Sequence, residues 1–119
     1  MILVDTSVWI DHFRRDNRTL AQLLDGGGAW THEFIIGELA TGNLERRTEI
    51  LYYLENLPKV GTARHDEVLG LVEERKLHGS GLGWIDAHLL ASAMLEGLPL
   101  WSLNKTLAGV ARRLGVGTT

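Results

Sequence analysis

Three acidic residues of this chain interrupt apolar runs. Asp5 closes Ile2-Leu3-Val4, Glu38 falls within Phe34-Ile35-Ile36-Gly37-Glu38-Leu39, and Asp86 lies inside Trp84-Ile85-Asp86-Ala87-His88-Leu89-Leu90. A carboxylate in apolar surroundings is costly unless it is paired or bound to a cation. One divalent metal shared by all three is the most economical reason for them. The chain has no cysteine, and hard oxygen donors suit Mg²⁺ or Mn²⁺ better than a structural zinc. Such ions polarise phosphoryl oxygens and acidify water, so phosphodiester hydrolysis is the chemistry this set points to. Each residue also has a structural alternative. Asp5 suits a helix N-cap or a strand-end turn, Glu38 an arginine partner, and Asp86 the positive end of its own helix.

The elements that must position these residues follow from periodicity. Residues 2–5 read as a short buried strand, after which Thr6 or Ser7 caps a helix through Trp9, Ile10 and Phe13. A second helix is expected over 17–24, broken by Asp25-Gly26-Gly27-Gly28, and a second strand at Ala29-Trp30-Thr31. Glu38 rides on the next helix, sharing a stripe with Phe34 and Ile35, so it is expected to point inward. Amphipathic helices are expected over 46–57, closed by Pro58, and over 66–78. Val60 begins a short extended piece. The loop Gly79 to Gly83 precedes the Asp86 helix, in which Asp86 shares a stripe with Leu90 and Ala93. Residues 98–103 read as a strand, 106–114 as a last helix, and Val116 as an edge strand. Short apolar strands alternating with helices predict an α/β fold with a parallel sheet, and sites in such sheets gather at the carboxyl ends of the strands. Asp5 and Ser102 fall at those ends.

Composition bounds the function classes. The chain has 119 residues, 45% hydrophobic and 23% charged, without repeats or low-complexity tracts. We read 1–119 as one domain of ordinary globular type. No apolar stretch reaches the roughly 20 residues that span a bilayer, no basic leader precedes Met-Ile-Leu-Val-Asp, and the lack of cysteine suits a reducing compartment, so a cytoplasmic protein is expected. A formal charge of −3 argues against a broad phosphate-tracking surface. The arginines at 14, 15, 18, 46, 47, 112 and 113 are nevertheless clustered, and either form a local basic rim or solvate helix faces.

Taken together, these motifs resemble the PIN-domain ribonucleases, and among them the VapC toxins of bacterial toxin–antitoxin pairs. The resemblance rests on Leu3-Val4-Asp5-Thr6-Ser7-Val8-Trp9-Ile10, Ile36-Gly37-Glu38-Leu39, Trp84-Ile85-Asp86-Ala87-His88-Leu89-Leu90-Ala91 and Leu100-Trp101-Ser102-Leu103-Asn104-Lys105, in that order. It implies a three-layer α/β/α fold and Mg²⁺- or Mn²⁺-dependent cleavage of RNA, including structured RNA such as tRNA or rRNA. It further implies a VapB-like antitoxin partner and a homodimer. Asp5, Glu38 and Asp86 match the family's acidic metal positions, and Thr6 and Ser7 its supporting hydroxyls. Asn104 stands where the family commonly has a fourth acid. Its neutral carbonyl oxygen brings no charge, so weaker binding of a second ion is expected, with Ser102 holding water or phosphate beside it.

Other polar residues are weaker candidates. His88 lies about 200° around a helix from Asp86, and His12, His32, His65 and His78 lack metal-ligand spacing. Trp9, Trp30, Trp84 and Trp101 are expected mainly in packing. The helix from Arg46 to Leu57, with Tyr52 and Tyr53, is the expected grip for a partner. Two rival classes stand beside the enzyme: a weakened PIN domain that binds RNA or protein without cutting, favoured by Asn104, and a phosphatase or DNA-directed nuclease using the same metal.

Overall fold

A computed structural model describes residues 1–118. At its centre is β1, Ile2–Val4, whose Leu3 and Val4 are fully buried. A strand covered on both faces needs side chains of this kind. It pairs in parallel with β2, Ala29–Trp30, through Ile2↔Ala29 and Leu3↔Trp30. On its other side it pairs in parallel with β3, Leu100–Trp101, through Leu3↔Leu100 and Val4↔Trp101. The order is therefore β2-β1-β3. Parallel bridges from Thr31 to Lys59 and from Leu100 to Gly117 extend both edges, with Val60 N–H donating to Thr31 O and Leu100 N–H to Val116 O. The pieces expected near Val60 and Val116 thus pair as single bridges.

Among the described residues, seven helices flank the sheet in a three-layer α/β/α arrangement: α1 Thr6–Arg15, α2 Arg18–Asp25, α3 Glu33–Thr41, α4 Arg47–Glu55, α5 His65–Glu74, α6 Trp84–Glu96 and α7 Lys105–Arg113. Helix α6 is the most enclosed, with every residue from Ala87 to Ala93 buried. Ala87 and Ala91 let α5 come close through Val68, because small side chains shorten the distance between helix axes. Trp9 is sealed in the core with its indole N–H donating to Val4 O at 3.2 Å, which ties α1 to the strand that carries Asp5.

Several expectations are corrected. Asp5 caps α1, as its structural alternative allowed, in place of Thr6 or Ser7, and Asn17 caps α2 rather than beginning it, its Oδ1 accepting from Leu20 N–H at 2.9 Å. The helix expected to reach His78 ends at Glu74, because Lys76 turns left-handed (φ 54°) and Leu77 N–H returns to Val72 O. That turn delivers Leu77 to the core at 3% exposure. Arg46 is likewise left-handed and stands before α4 rather than in it. The last strand is only two residues long, since Ser102 leaves the ladder for the site. Trp84 is not core: it stands at the start of α6 with 40% of its surface open. Among the described residues, no helix is long and apolar enough to cross a membrane.

Candidate active site

The carboxyl ends of β1 and β3 lie side by side, with Asp5 N–H donating to Trp101 O at 2.9 Å. The chain then turns into α1 at one end and toward α7 at the other. Asp5 is buried at 6% exposure. Its Oδ2 accepts from Ser7 Oγ at 2.7 Å, Ser102 Oγ at 2.8 Å and, more distantly, Ser7 N–H at 3.4 Å. The two hydroxyls also stand 3.3 Å apart. Each has one proton, and each proton is used on Asp5, so their mutual approach is a contact between oxygens rather than a third bond. Behind them, Leu103 N–H donates to Ser7 Oγ at 2.9 Å and Asn104 N–H to Ser102 Oγ at 3.0 Å. Among the described residues, all the hydrogen bonds Asp5's side chain accepts fall on Oδ2, so Oδ1 keeps its lone pairs for a cation.

Glu38 reaches the site from α3. The helix is capped by His32, whose Nδ1 accepts from Phe34 N–H at 2.9 Å. This fixes the neutral ring with its proton on Nε2. Burial, with His88 adding, holds His32 down to about 4, in keeping with a cap that works only when neutral. The buried line of α3 runs through Ile35 and Leu39. Glu38, one position off that line, is exposed, which corrects the inward orientation expected from its stripe. Its Oε1 accepts from Thr6 Oγ1 at 2.7 Å. Partial burial raises its pKa above the ordinary value; the Thr6 bond opposes this, and the charges of Asp5 and Asp86 add to it.

Asp86 sits in the first turn of α6, half-buried, with Oδ2 accepting from Gly83 N–H at 3.1 Å. Burial raises its pKa, the Gly83 bond opposes, and Asp5 raises it further. The charges of Asp5 and Asp86 thus reach Glu38, and that of Asp5 reaches Asp86. None of them takes part in an ion pair among the described residues. An uncompensated acidic set of this kind fits a divalent cation, and its donors are oxygens throughout. As the side chains stand, no three acidic or histidine groups among the described residues are close enough to hold one ion together. Simultaneous ligation therefore requires a rotation of the exposed Glu38 or of Asp86.

A family profile described as PIN domain matches residues 2–113. The chain belongs to the PIN-domain family. It is also 45% identical over 117 residues to Ribonuclease VapC32 of Mycobacterium tuberculosis, in both strain CDC 1551 / Oshkosh and strain ATCC 25618 / H37Rv, covering 98% of this chain and 94% of each relative. This places the PIN domain in the VapC group.

Asn104 takes a different post from the one expected. Its Oδ1 accepts from Leu107 N–H at 3.1 Å and caps α7, so it reaches Asp5 only through its backbone and Ser102. His88 is buried away from the carboxylates, its ring set edge-on to Phe34 at 4.7 Å and to Trp84 at 4.9 Å. The backbone donors of Leu103 and Asn104 were invisible to side-chain reasoning, because a main-chain N–H leaves no trace in residue type.

Proposed function

We propose that this PIN domain, taken as a single unit over 1–119, is a metal-dependent endoribonuclease and the toxin of a type II toxin–antitoxin pair. The observation that carries the reading is that Asp5, Glu38 and Asp86, on three different elements, lie within reach of one another's charge with no protein cation paired to them among the described residues. The ribonuclease name of the VapC32 relatives supports RNA as the substrate. Asp5, held by two hydroxyls, and Asp86, held by Gly83 N–H, are the oriented ligands for Mg²⁺ or Mn²⁺. Such an ion supplies charge for the scissile phosphate and an acidified water at neutral pH. Glu38 keeps Oε2 clear of Thr6, and its raised proton affinity suits it to take a proton released by water. Ser7, Ser102 and Thr6 position carboxylates and do not touch the reacting atoms.

The test compares the chain with Asp5→Ala and Asp86→Asn. Titration calorimetry with Mg²⁺ and Mn²⁺ should show binding that is lost in Asp86→Asn. RNA cleavage should fall at least 100-fold in Asp5→Ala, by analogy with removal of a central catalytic group, while RNA binding is retained. Cleavage by Asp5→Ala equal to the parent's would sink the catalytic assignment of Asp5, and RNA binding without cleavage by the parent would leave the non-cutting binder.

The partner reading has its own support. A groove of about 1060 Å³ runs between α1, α3 and α4, lined by Trp9, Phe13, Leu39, Ile50 and Tyr53, with Glu38 on its wall. An antitoxin segment with apolar side chains fills such a groove, and a Lys or Arg on it reaches the carboxylates. Tyr52 does not line it and is 73% exposed. With Leu95, 63% exposed, it is available to a second protomer. Sedimentation of the isolated chain at the mass of one protomer would remove the homodimer.

A further inference from the structure

Five of the nine arginines are already engaged. Arg15 pairs with Asp11 at 2.6 Å, Arg46 with Glu49 at 2.8 Å and Arg64 with Asp66 at 3.0 Å. Arg47 donates to Ala40 O and Arg113 to Arg75 O. Arg14, Arg18, Arg75 and Arg112 make no side-chain hydrogen bond or ion pair among the described residues. Arg14 differs from the other three in place: it stands at the edge of the groove between α1, α3 and α4 and also lines a separate cavity of about 380 Å³ bounded by Ser7, Ile10, Asp11, Arg15 and Leu103.

That cavity opens where the carboxylate site ends. Ser7 is the residue whose hydroxyl holds Asp5, and Leu103 donates its N–H to that hydroxyl. Seven residues along α1 return to the same helix face, about 10 Å further on, so Arg14 lies on the line that leaves Ser7. The acid between them does not cancel it. Asp11 is hydrogen-bonded by Arg15 and then by Asn17, which together hold its carboxyl below the usual range. The far wall is Leu103, 49% exposed, an apolar face suited to a sugar or a base edge.

A polyanion crossing three carboxylates on a chain of formal charge −3 needs a positive contact beside them. A guanidinium free of other partners supplies one with the fork that phosphate oxygens accept. We propose that the cavity between Ser7, Arg14 and Leu103 holds a phosphate of the RNA strand adjacent to the one cut, with Arg14 as its cationic contact. The inference rests on the nuclease reading and names a substrate subsite within it.

The experiment measures binding of unfractionated tRNA to Asp5→Ala protein, alone and combined with Arg14→Ala, Arg14→Lys or Arg18→Ala, over a range of salt. Loss of one phosphate contact lowers the slope of log Kd against log salt by about 0.7–0.9. Arg14→Ala should show that decrease and bind several-fold more weakly. Arg14→Lys should keep the slope, and Arg18→Ala should match the parent. In the active chain, Arg14→Ala should raise KM by the same factor with kcat unchanged, the sign of binding common to substrate and transition state. If Asp5-intact protein cuts RNA but Arg14→Ala behaves as Arg18→Ala, the subsite is wrong and the nuclease stands. If Arg14→Ala instead weakens only a bound antitoxin and leaves RNA binding and its salt slope unchanged, Arg14 serves the partner groove it also lines and the phosphate subsite is wrong. If the intact chain neither cuts nor binds RNA, the nuclease reading falls and takes the subsite with it.

Discussion

Asp5 is oriented by one hydroxyl from two residues away and one from 97 residues away. The second is the more telling, because Ser102 Oγ both donates to Asp5 and accepts from Asn104 N–H. Ser102→Ala strips both bonds at once. A hydrogen bond to a charged group contributes about 1.5–3 kcal/mol, while the freed N–H of Asn104, on an exposed residue, can turn to water, so urea unfolding should show a loss of roughly 1.5–3 kcal/mol. Groups that orient a ligand also set its affinity, commonly by about 10–100-fold, so Mg²⁺ or Mn²⁺ binding should weaken by that order in calorimetry. Unchanged stability and affinity together would mean that Ser7 alone holds Asp5. The three acids themselves were legible in the sequence, since a charge inside an apolar run is a conspicuous signal. The depth of each was not. Periodicity tells which face of α3 Glu38 occupies, but whether that face meets core or open cleft is decided by what packs against it.

Helix α7 shows how an element can take over a residue whose position in the chain points to the site. Asn104 ends the β3 turn and spends its side-chain oxygen on Leu107 N–H. Removing that cap in Asn104→Ala should cost about 1 kcal/mol. Asn104→Asp tests the missing acid directly. A carboxylate has two oxygens, so one can cap α7 while the other faces the cleft, whereas the asparagine's second group is an NH₂ donor that repels a cation. Asn104→Asp should therefore keep the stability of the parent within about 0.5 kcal/mol and tighten divalent-ion binding. Parent-like affinity with intact stability would show that the residue 104 side chain does not reach the site at all. Elements were otherwise readable to within a few residues, because Leu and Val periodicity and the glycine breaks are strong local signals. The overrun to His78 marks the limit: Leu77 continues the apolar rhythm of α5, yet it reaches the core only after Lys76 reverses the chain. A non-glycine left-handed turn gives no compositional warning.

Across the whole molecule, the parallel order β2-β1-β3 brings Asp5 at the β1–α1 junction, Glu38 of α3 and Asp86 of α6 within reach of one another's charge, and that gathering works against the fold. Glu38 and Asp86 have pKa values raised above 4.5 and 3.8, with burial the first cause of each. Raised acids bind protons more tightly folded than unfolded. Their contribution to stability is full below the ordinary values near 4 and is lost as pH rises through the raised ones. His32 runs the opposite way. Its pKa is lowered from 6.5 to about 4, so its contribution is full above 6.5 and is lost as pH falls through that window. A single melting curve mixes the two, but a difference between variants separates them. Asp86→Asn keeps an acceptor for Gly83 N–H while removing the charge, and it leaves His32 untouched. In metal-free buffer its melting temperature should exceed the parent's by a few degrees at neutral pH, with the gap closing as Asp86 is protonated in acid. Adding Mg²⁺ or Mn²⁺ should reverse the order, because the parent alone gains binding free energy from the ion. A parent that is the more stable of the two without metal at neutral pH would mean that the favourable N-terminal field of α6 outweighs burial and the Asp5 charge at Asp86, and the three acids would then not be strained against one another.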